Sequence, residues 1–153
     1  MTERKPTPPP GTLVLVVRRT INANPERLFE AWTRSEELLA WWGPRPVRCT
    51  RAEVDLRVGG RYRIDNLLPT GDVLTIEGEF TVVERPSKLV YTWSVTPGGA
   101  PPELVIVRFD RKGPGLTEVV VTHERIESAA LRDSHAMGWN GCLDGLALHV
   151  SSH

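Results

Sequence analysis

Apolar residues near the end of the chain recur with the period of an α-helix. Trp139, Cys142, Leu143, Leu146 and Val150 fall within a sector of roughly 100° when successive residues are placed 100° apart. This spacing predicts a long C-terminal helix with one continuous apolar stripe. Because such a stripe has to be covered, the helix is expected to lie on another layer of the fold.

The chain before this helix alternates between apolar and polar residues in short segments bounded by Gly and Pro. In one segment, Leu74, Ile76 and Phe80 alternate with threonine and glutamate, which is typical of a sheet with one covered face. The turns between segments are short and favour an antiparallel meander. Seven strands are predicted, over Leu13 to Ile21, Val47 to Asp55, Arg61 to Leu67, Val73 to Glu84, Lys88 to Val95, Glu103 to Asp110 and Leu116 to Arg125.

Two short helices are predicted between the first two strands. Asn24, Pro25 and Glu26 form a helix start in which the Asn24 side chain is the expected cap. Ser35 is expected to cap the second helix. That helix should end before Pro44, which disfavours the helical conformation in the residue preceding it.

The final helix is expected to begin after a cap at Ser128 and to run to about His149, with Gly138 as the candidate position for a bend. The order of elements is a strand, two short helices, six strands and a long helix, which predicts an α+β fold. A seven-stranded antiparallel sheet curls, and a helix on its concave side leaves a candidate pocket between the two.

The length of the chain suits one domain, because 153 residues can bury about 70% of their unfolded surface. We expect residues 1–11, which contain four prolines and three charged residues, to form a mobile tail before a single domain over residues 12–153. Neither a signal-peptide core nor a run long enough for a membrane span is present, so we expect a cytoplasmic protein. A homodimer is an assembly that the sequence allows, since it is the commonest oligomer.

Positive and negative residues are balanced, with 19 Lys and Arg against 19 Asp and Glu. Such a chain has no general attraction for nucleic acid or for an anionic membrane, so we expect neither as a partner. Arginines cluster between positions 45 and 63. An inward arginine could hold a carboxylate, although solvated positions on the outer face are the preferred interpretation.

Four local motifs resemble those of one known family. Their order and placement resemble the heat-shock protein 90 ATPase activator homologue group, which belongs to the START-like, polyketide cyclase (SRPBCC) superfamily. The resemblance covers residues from about Leu13 to Val150. The motifs are Trp41-Trp42-Gly43-Pro44, the run from Asp55 to Tyr62, the run from Pro86 to Trp93, and Gly138-Trp139 followed by Leu143 and Leu146.

The resemblance implies the helix-grip fold of START and Bet v-like proteins, in which a curved sheet grips a long C-terminal helix. It also implies a cavity between sheet and helix that binds a small hydrophobic or aromatic molecule, for transport, sequestration or sensing. Two other functions stay open. One is a cofactor-independent polyketide-type cyclase or aromatase, and the other is a chaperone-associated interaction module.

Aromatic residues are the main candidates for lining that cavity, because rigid rings with a polar edge suit an apolar or aromatic ligand. Packing in the core is the alternative for each ring. The expected ligand-binding residues are Trp41, Trp42, Tyr62, Phe80, Tyr91, Trp93, His123, His135, Trp139 and Leu143.

Two of these residues, His123 and His135, are also candidates for proton transfer. His135 lies one turn before Trp139 on the same side of the helix, and His123 is in phase with the apolar residues of the last strand. Histidine exchanges protons near neutral pH, so the pair could act with Tyr62 or Tyr91 in a cyclisation or dehydration. The alternative for each histidine is a structural hydrogen bond.

The sequence contains no glycine-rich phosphate loop, no serine nucleophile elbow and no His-Glu-x-x-His metal signature. We therefore expect neither a cofactor nor a metal, and the sequence assigns no catalytic residue. The spacing of His149 and His153 is interpreted as a coincidence at the chain end. Cys49 and Cys142 are too few for a disulfide framework and are expected to pack.

Overall fold

The computed structural model describes residues 9–43 and 46–152. Most of the tail predicted for residues 1–11 lies outside the described residues, as does His153. The elements of the described chain are β1 (Leu13–Ile21), α1 (Pro25–Thr33), α2 (Ser35–Trp41), β2 (Arg48–Val54), β3 (Arg61–Leu67), β4 (Val73–Glu84), β5 (Lys88–Thr96), β6 (Glu103–Gly113), β7 (Leu116–Ile126) and α3 (Ala129–Ser152).

The strands form one seven-stranded antiparallel sheet in the order β1-β7-β6-β5-β4-β3-β2. Strands β2 to β7 each pair with their neighbours in sequence, whereas β1 crosses to the edge beside β7. The α+β helix-grip architecture predicted from the sequence is confirmed, and most predicted strand bounds agree within one residue. The largest difference is β6, which extends beyond its predicted end to Gly113.

One face of the sheet is covered, and strand β6 shows how the alternation places side chains there. Glu103, Val105, Val107 and Phe109 are all buried, and the residues between them are more exposed. Glu103 pairs with Trp93 of β5 across the sheet. The alternation that buries the apolar residues therefore also brings a carboxylate to the covered face.

Helix α3 covers this face with the apolar stripe predicted for it. Trp139, Cys142, Leu143 and Leu146 are each at most 4% exposed. The helix packs on β1 and β7 and also on α1 and α2. Burial raises the pKa of the Cys142 thiol to about 12, which agrees with a packing role for this cysteine.

Ser128 caps α3 as predicted, because its Oγ accepts a hydrogen bond from the N–H of Leu131 at 3.1 Å. The helix continues through Gly138 and ends at Ser152, beyond the predicted end at His149. The helix is not interrupted at Gly138, so the reason for a glycine at this position has to be sought in its surroundings.

Two other predicted caps are wrong. The side chain of Asn24 makes no capping hydrogen bond to α1; its Oδ1 accepts from the N–H of Gly115 at 3.2 Å and from Arg111 at 3.1 Å. Ser35 is the first residue of α2, and Arg34 occupies the cap position without a side-chain hydrogen bond. Asn24 therefore ties the start of α1 to the turn between β6 and β7.

Two glycines of α3 have very different surroundings. A Cβ atom at Gly145 would lie 2.7 Å from the carbonyl oxygen of Trp41, so glycine lets α2 approach α3 closely. A Cβ atom at Gly138 would have nothing within 4 Å. Helix packing thus accounts for Gly145 but leaves Gly138 unexplained.

Alanine at these two positions should change the free energy of unfolding in opposite directions. Gly138→Ala is expected to add about 0.5–1 kcal/mol, because alanine loses less backbone freedom in a helix and has room at this position. Gly145→Ala gains the same propensity but forces the α2 backbone away, so we expect a net loss of stability. Urea denaturation followed by circular dichroism measures both. A destabilised Gly138→Ala would contradict the open surroundings described here.

Candidate functional site

An open groove runs between α3 and the part of the sheet that the helix leaves uncovered. Its volume is about 1780 Å³. One wall is α3 from Ser134 to His149, and the other includes residues of β3, β4 and the segment between α2 and β2. Trp42, Trp93 and Trp139 all line it, so tryptophans from three parts of the chain meet at this space.

A much smaller inner cavity adjoins the groove at Trp42 and Trp93, which line both spaces. Its volume is about 20 Å³, which is room for about one water molecule. The space enclosed between sheet and helix is therefore nearly filled by side chains. The inner cavity is lined by Trp32, Leu38, Trp42, Val54, Tyr62, Ile64, Phe80, Tyr91 and Trp93.

All five tryptophans of the chain belong to one tryptophan cluster, in which neighbouring ring centroids lie 5.1–6.4 Å apart. Among the described residues, Nε1 of Trp93 is the only buried side-chain polar atom without a hydrogen-bond partner. The other four indole N–H groups donate as follows: Trp32 to the Tyr91 hydroxyl, Trp41 to the Ala31 carbonyl, Trp42 to Oδ1 of Asn66 and Trp139 to Nδ1 of His123.

A carboxylate and two imidazoles meet beside the tryptophan cluster. Glu103 begins β6, His123 lies on β7 and His135 lies on α3. Oε1 of Glu103 accepts a hydrogen bond from Nε2 of His123 at 2.8 Å and another from Nε2 of His135 at 2.9 Å. The two imidazole rings stack with their centroids 4.3 Å apart. The two predicted histidines therefore do converge, on a carboxylate that was not among the predicted site residues.

Trp139 determines where each proton of this network lies. An indole N–H can only donate, so Nδ1 of His123, at 3.0 Å, must present a lone pair. The proton of neutral His123 is then on Nε2 and points at Glu103. His135 faces the same oxygen with its Nε2 and has to donate there too. Its remaining lone pair is on Nδ1, which has no hydrogen-bond partner within the described chain.

The pKa values of Glu103 and His123 are both shifted downward. Burial alone would raise the pKa of the Glu103 carboxyl, but the hydrogen bonds from His123 and His135 outweigh burial and bring it to about 2. Burial also lowers the pKa of His123, and its hydrogen bond to Glu103 offsets this only in part. At neutral pH, a carboxylate anion therefore faces a neutral His123.

Two imidazoles and a carboxylate can also ligate a transition metal, and the ligand atoms of Glu103, His123 and His135 all lie within 4.8 Å of one another. A ligating nitrogen needs a free lone pair. Nε2 of His123 instead carries the proton, because Trp139 occupies the lone pair of Nδ1. The arrangement therefore fits a proton-bearing network better than a metal site, since ligation by His123 would require Trp139 to move.

The residues predicted to line a ligand cavity are divided between the two spaces. His123 and Leu143 are fully buried and line neither of them. The others are distributed as follows: Tyr62, Phe80 and Tyr91 line the inner cavity, Trp41, His135 and Trp139 line the groove, and Trp42 and Trp93 line both.

The two tyrosines considered for proton transfer have other partners. The Tyr62 hydroxyl donates to the carbonyl oxygen of Thr92 at 2.6 Å, and the Tyr91 hydroxyl accepts from Trp32. Burial raises the pKa of both hydroxyls. Neither tyrosine is hydrogen-bonded to the histidine pair, so proton chemistry at this site would fall to the histidines and Glu103.

Glu103 and Asn66 are site residues that the sequence reasoning missed. Glu103 is in phase with the buried apolar residues of β6, and this phase was the available signal. Asn66 holds Trp42 in place: its Oδ1 accepts from the indole N–H at 3.1 Å, and its amide donates to the carbonyl of Leu74 at 3.2 Å. A single asparagine in a strand carries no comparable signal.

Charged residues outside this network form other pairs. His149 contacts Oε1 of Glu37 at 2.9 Å, and Arg27 donates to the same oxygen at 2.6 Å, so all three helices are linked. In the basic region, exposed arginines pair with acidic neighbours on the same chain segment, which agrees with solvated outer-face positions. These pairs are Arg51 with Glu53, Arg57 with Asp55 and Arg63 with Asp65.

Comparison with known protein families agrees with the fold. A family model described as Activator of Hsp90 ATPase homolog 1-like protein, abbreviated AHSA1, matches residues 22–151. The chain belongs to this family. The AHSA1-like family is part of the START-like SRPBCC superfamily, as the sequence motifs indicated.

Solved structures of several bacterial proteins share the fold. A protein from Chromobacterium violaceum is 24% identical, with 88% of this chain and 94% of that chain covered and a TM-score of 0.81. The AHSA1 protein from Silicibacter pomeroyi is 23% identical over 92% of this chain and 100% of that one, also with a TM-score of 0.81. An AHSA1-like protein from Aeromonas hydrophila is 26% identical over 92% and 93%, with a TM-score of 0.75.

No curated protein matches this AHSA1-like chain. Within residues 9–43 and 46–152, no helix is both long enough and apolar enough to cross a membrane.

Acidification should destabilise this AHSA1-like fold in two steps. His123 has its pKa lowered by burial from an ordinary 6.5, so its contribution is lost as the pH falls below about 6.5. Glu103 has its pKa lowered from 4.5 to about 2, so its contribution is present above about pH 4.5 and is lost as the pH falls toward 2. That second loss is on the order of 3 kcal/mol when the pH has fallen to about 2.

Urea denaturation between pH 8 and pH 3 follows the first step and the beginning of the second. Glu103→Gln is the matched control, because it retains an acceptor oxygen and removes the titrating carboxyl. Its stability should fall less than that of the wild type below pH 4.5. Equal slopes for the two proteins in this range would contradict the low pKa of Glu103.

Substitution of Trp139 should separate its packing role from its hydrogen bond. Trp139→Ala is expected to cost about 3–5 kcal/mol, as other buried aromatic truncations do. Trp139→Phe keeps a ring but leaves Nδ1 of His123 unpaired, at an expected cost of about 1–3 kcal/mol. Long-range ¹H–¹⁵N NMR of the wild type should show the Nε2–H tautomer of His123. A protonated Nδ1 in the wild type would overturn the proton assignment.

Proposed function

We propose that this protein binds a small, mostly apolar or aromatic molecule in the groove, in order to transport, sequester or sense it. The observation that carries the proposal is the tryptophan lining, in which Trp42, Trp93 and Trp139 meet beside the polar network of Glu103, His123 and His135. Ligand sites commonly combine aromatic walls with a few convergent polar groups. The groove also exceeds the ~300–1,000 Å³ of a typical ligand pocket, so it has room for a ligand of that size.

Gly138 supports the same proposal. A glycine inside a helix costs roughly 0.5–1 kcal/mol relative to alanine, and no neighbour would obstruct a side chain at this position. Gly138 lines the groove next to Trp139. The absence of a side chain at Gly138 therefore keeps free volume where a ligand would lie. Close packing does not require a glycine at this position, so space for a ligand is the role that we assign to it.

A second candidate function is acid–base catalysis of the cofactor-independent cyclase type. The specific observation in its favour is that His135 is held by a buried carboxylate and lines the groove, as a general base would be. Fewer residues support catalysis than the sequence predicted, because the hydroxyls of Tyr62 and Tyr91 are hydrogen-bonded to other groups. Ligand binding comes first in either case, since turnover needs the same groove.

The chaperone-associated role receives less support from the described surface. An interaction module should expose a contiguous apolar patch of several hundred Å². Three of the exposed large apolar residues, Leu39, Met137 and Leu148, line the groove itself. In our proposal these residues form the rim of the ligand site.

The proposal is tested with a thermal-unfolding panel of fatty acids, sterols, flavonoids, polyketides and small aromatic acids. A ligand at 100 times its dissociation constant should add about 2.7 kcal/mol, which for this size is a shift of roughly 5–10 °C. Gly138→Leu places a bulky side chain in the groove beside Trp139 and should reduce or abolish the shift while the protein remains folded. Gly138→Ala is the matched control and should retain most of it.

Two results would count against ligand binding in the groove. One is an undiminished shift in Gly138→Leu, which would place the ligand elsewhere. The other is a flat response of the wild type to every class in the panel.

A further inference from the structure

We propose that the ligand of this groove carries a hydroxyl group, which donates its proton in a hydrogen bond to Nδ1 of His135. This inference rests on the proposed function and names the chemical class of its ligand. It follows from the positions of the protons in the Glu103 network, which leave an unused acceptor on His135, the member of the network that lines the groove.

The acceptor is fixed by a chain of directional hydrogen bonds. Trp139 donates to His123, and His123 donates to Oε1 of Glu103, so this oxygen remains an acceptor. His135 therefore approaches Glu103 with a protonated Nε2 and keeps its lone pair on Nδ1. The tautomer is a consequence of the fold and is present before a ligand binds.

This nitrogen is reachable from the groove. The only buried side-chain polar atom without a partner in the described chain is Nε1 of Trp93, so the unpaired Nδ1 of His135 is in contact with solvent. The His135 side chain is 14% exposed, and the residue lines the groove. A ligand in the groove can therefore replace the solvent at this nitrogen.

The charge of the network disfavours a carboxylate at the same place. Glu103 is an anion whose hydrogen bonds come from two histidines, and an incoming carboxylate would bring a second negative charge without a donor to meet it. The other groove residues with an acidic or basic side chain are Arg48, Asp144 and His149. Asp144 pairs with Arg19 and His149 with Glu37, so Arg48 is the alternative anchor that an acidic ligand would use.

A hydroxyl also suits the unpaired N–H of Trp93. Burying an N–H without a partner costs about 1–3 kcal/mol. Trp93 stands edge-on to His135 with ring centroids 6.0 Å apart, and it lines both the groove and the inner cavity. A hydroxyl group both donates and accepts, whereas an ether or a carboxylate can only accept. A hydroxyl is therefore compatible with both groups, whereas a ligand group that only accepts leaves Nδ1 of His135 unpaired.

The test compares three ligands with one aromatic body: 2-naphthol, 2-methoxynaphthalene and 2-naphthoate. Isothermal titration calorimetry at about pH 7.5 is suitable, because a phenolic hydroxyl keeps its proton there. We expect 2-naphthol to bind about tenfold more tightly than the methyl ether, which lacks the donor, and more tightly than the carboxylate. In His135→Phe, which keeps a ring and removes the acceptor, the preference for the hydroxyl should disappear.

Each contrary result has a separate meaning. Equal affinity of the three wild-type complexes would overturn the hydroxyl proposal and leave apolar binding in the groove intact. Tightest binding of 2-naphthoate, lost in Arg48→Gln, would also overturn it and assign recognition to the arginine. An unchanged naphthol preference in His135→Phe would show that another group accepts the hydroxyl.

Complete absence of binding by the three naphthalene compounds would likewise overturn the proposal, because the groove has room for a naphthalene ring system. The thermal panel then decides whether the proposed function fails with it. A panel ligand whose effect is lost in Gly138→Leu would preserve the groove as the binding site. Circular dichroism and thermal unfolding of His135→Phe establish that the variant is folded, and the comparison in the wild type needs no variant at all.

Discussion

Trp139 is the side chain on which both the packing of α3 and the polar site depend. Its ring stacks on Trp32 at 5.9 Å and meets Trp42 edge-on at 5.6 Å, so it is held by α1 and by the residue that follows α2. The indole N–H is thereby fixed against His123, which leaves that histidine a single neutral tautomer. A buried carboxylate is stable only when its donors stay in place. The packing of the Trp139 ring therefore supports the anion of Glu103 through two successive hydrogen bonds, from Trp139 to His123 and from His123 to Glu103.

The same packing distributes free space unevenly. Aromatic rings fill the region enclosed by sheet and helices so completely that about 20 Å³ remains. The groove stays open because α3 packs on β1, β7, α1 and α2, and because Gly138 adds no side chain. Close packing and open space thus lie in different parts of the interface. Tight packing at Gly145 fixes the helix, and the absence of packing at Gly138 leaves room beside it.

The fold was predictable because its signals are local and repeated. Alternation marked each strand, and the helical stripe marked α3, so the architecture followed from the residues alone. The caps at Asn24 and Ser35 were wrong because a side chain can serve a distant loop or lie inside the helix. The polar site was predictable only in part. The phases of His123 and His135 placed both side chains inward. Their shared partner Glu103 lies on another strand, and strand order, which determines that contact, was not readable from the local pattern.

The tryptophan cluster also affects how this protein will look in a spectrometer. Indoles 5.1–6.4 Å apart at fixed mutual angles couple their electronic transitions, and no tryptophan of the chain lies outside the cluster. Exciton bands from coupled indoles fall in the far ultraviolet, where the peptide signals of helices and strands are read. Secondary-structure content fitted to a circular dichroism spectrum will therefore be distorted for this chain. The distortion itself reports that the rings remain assembled.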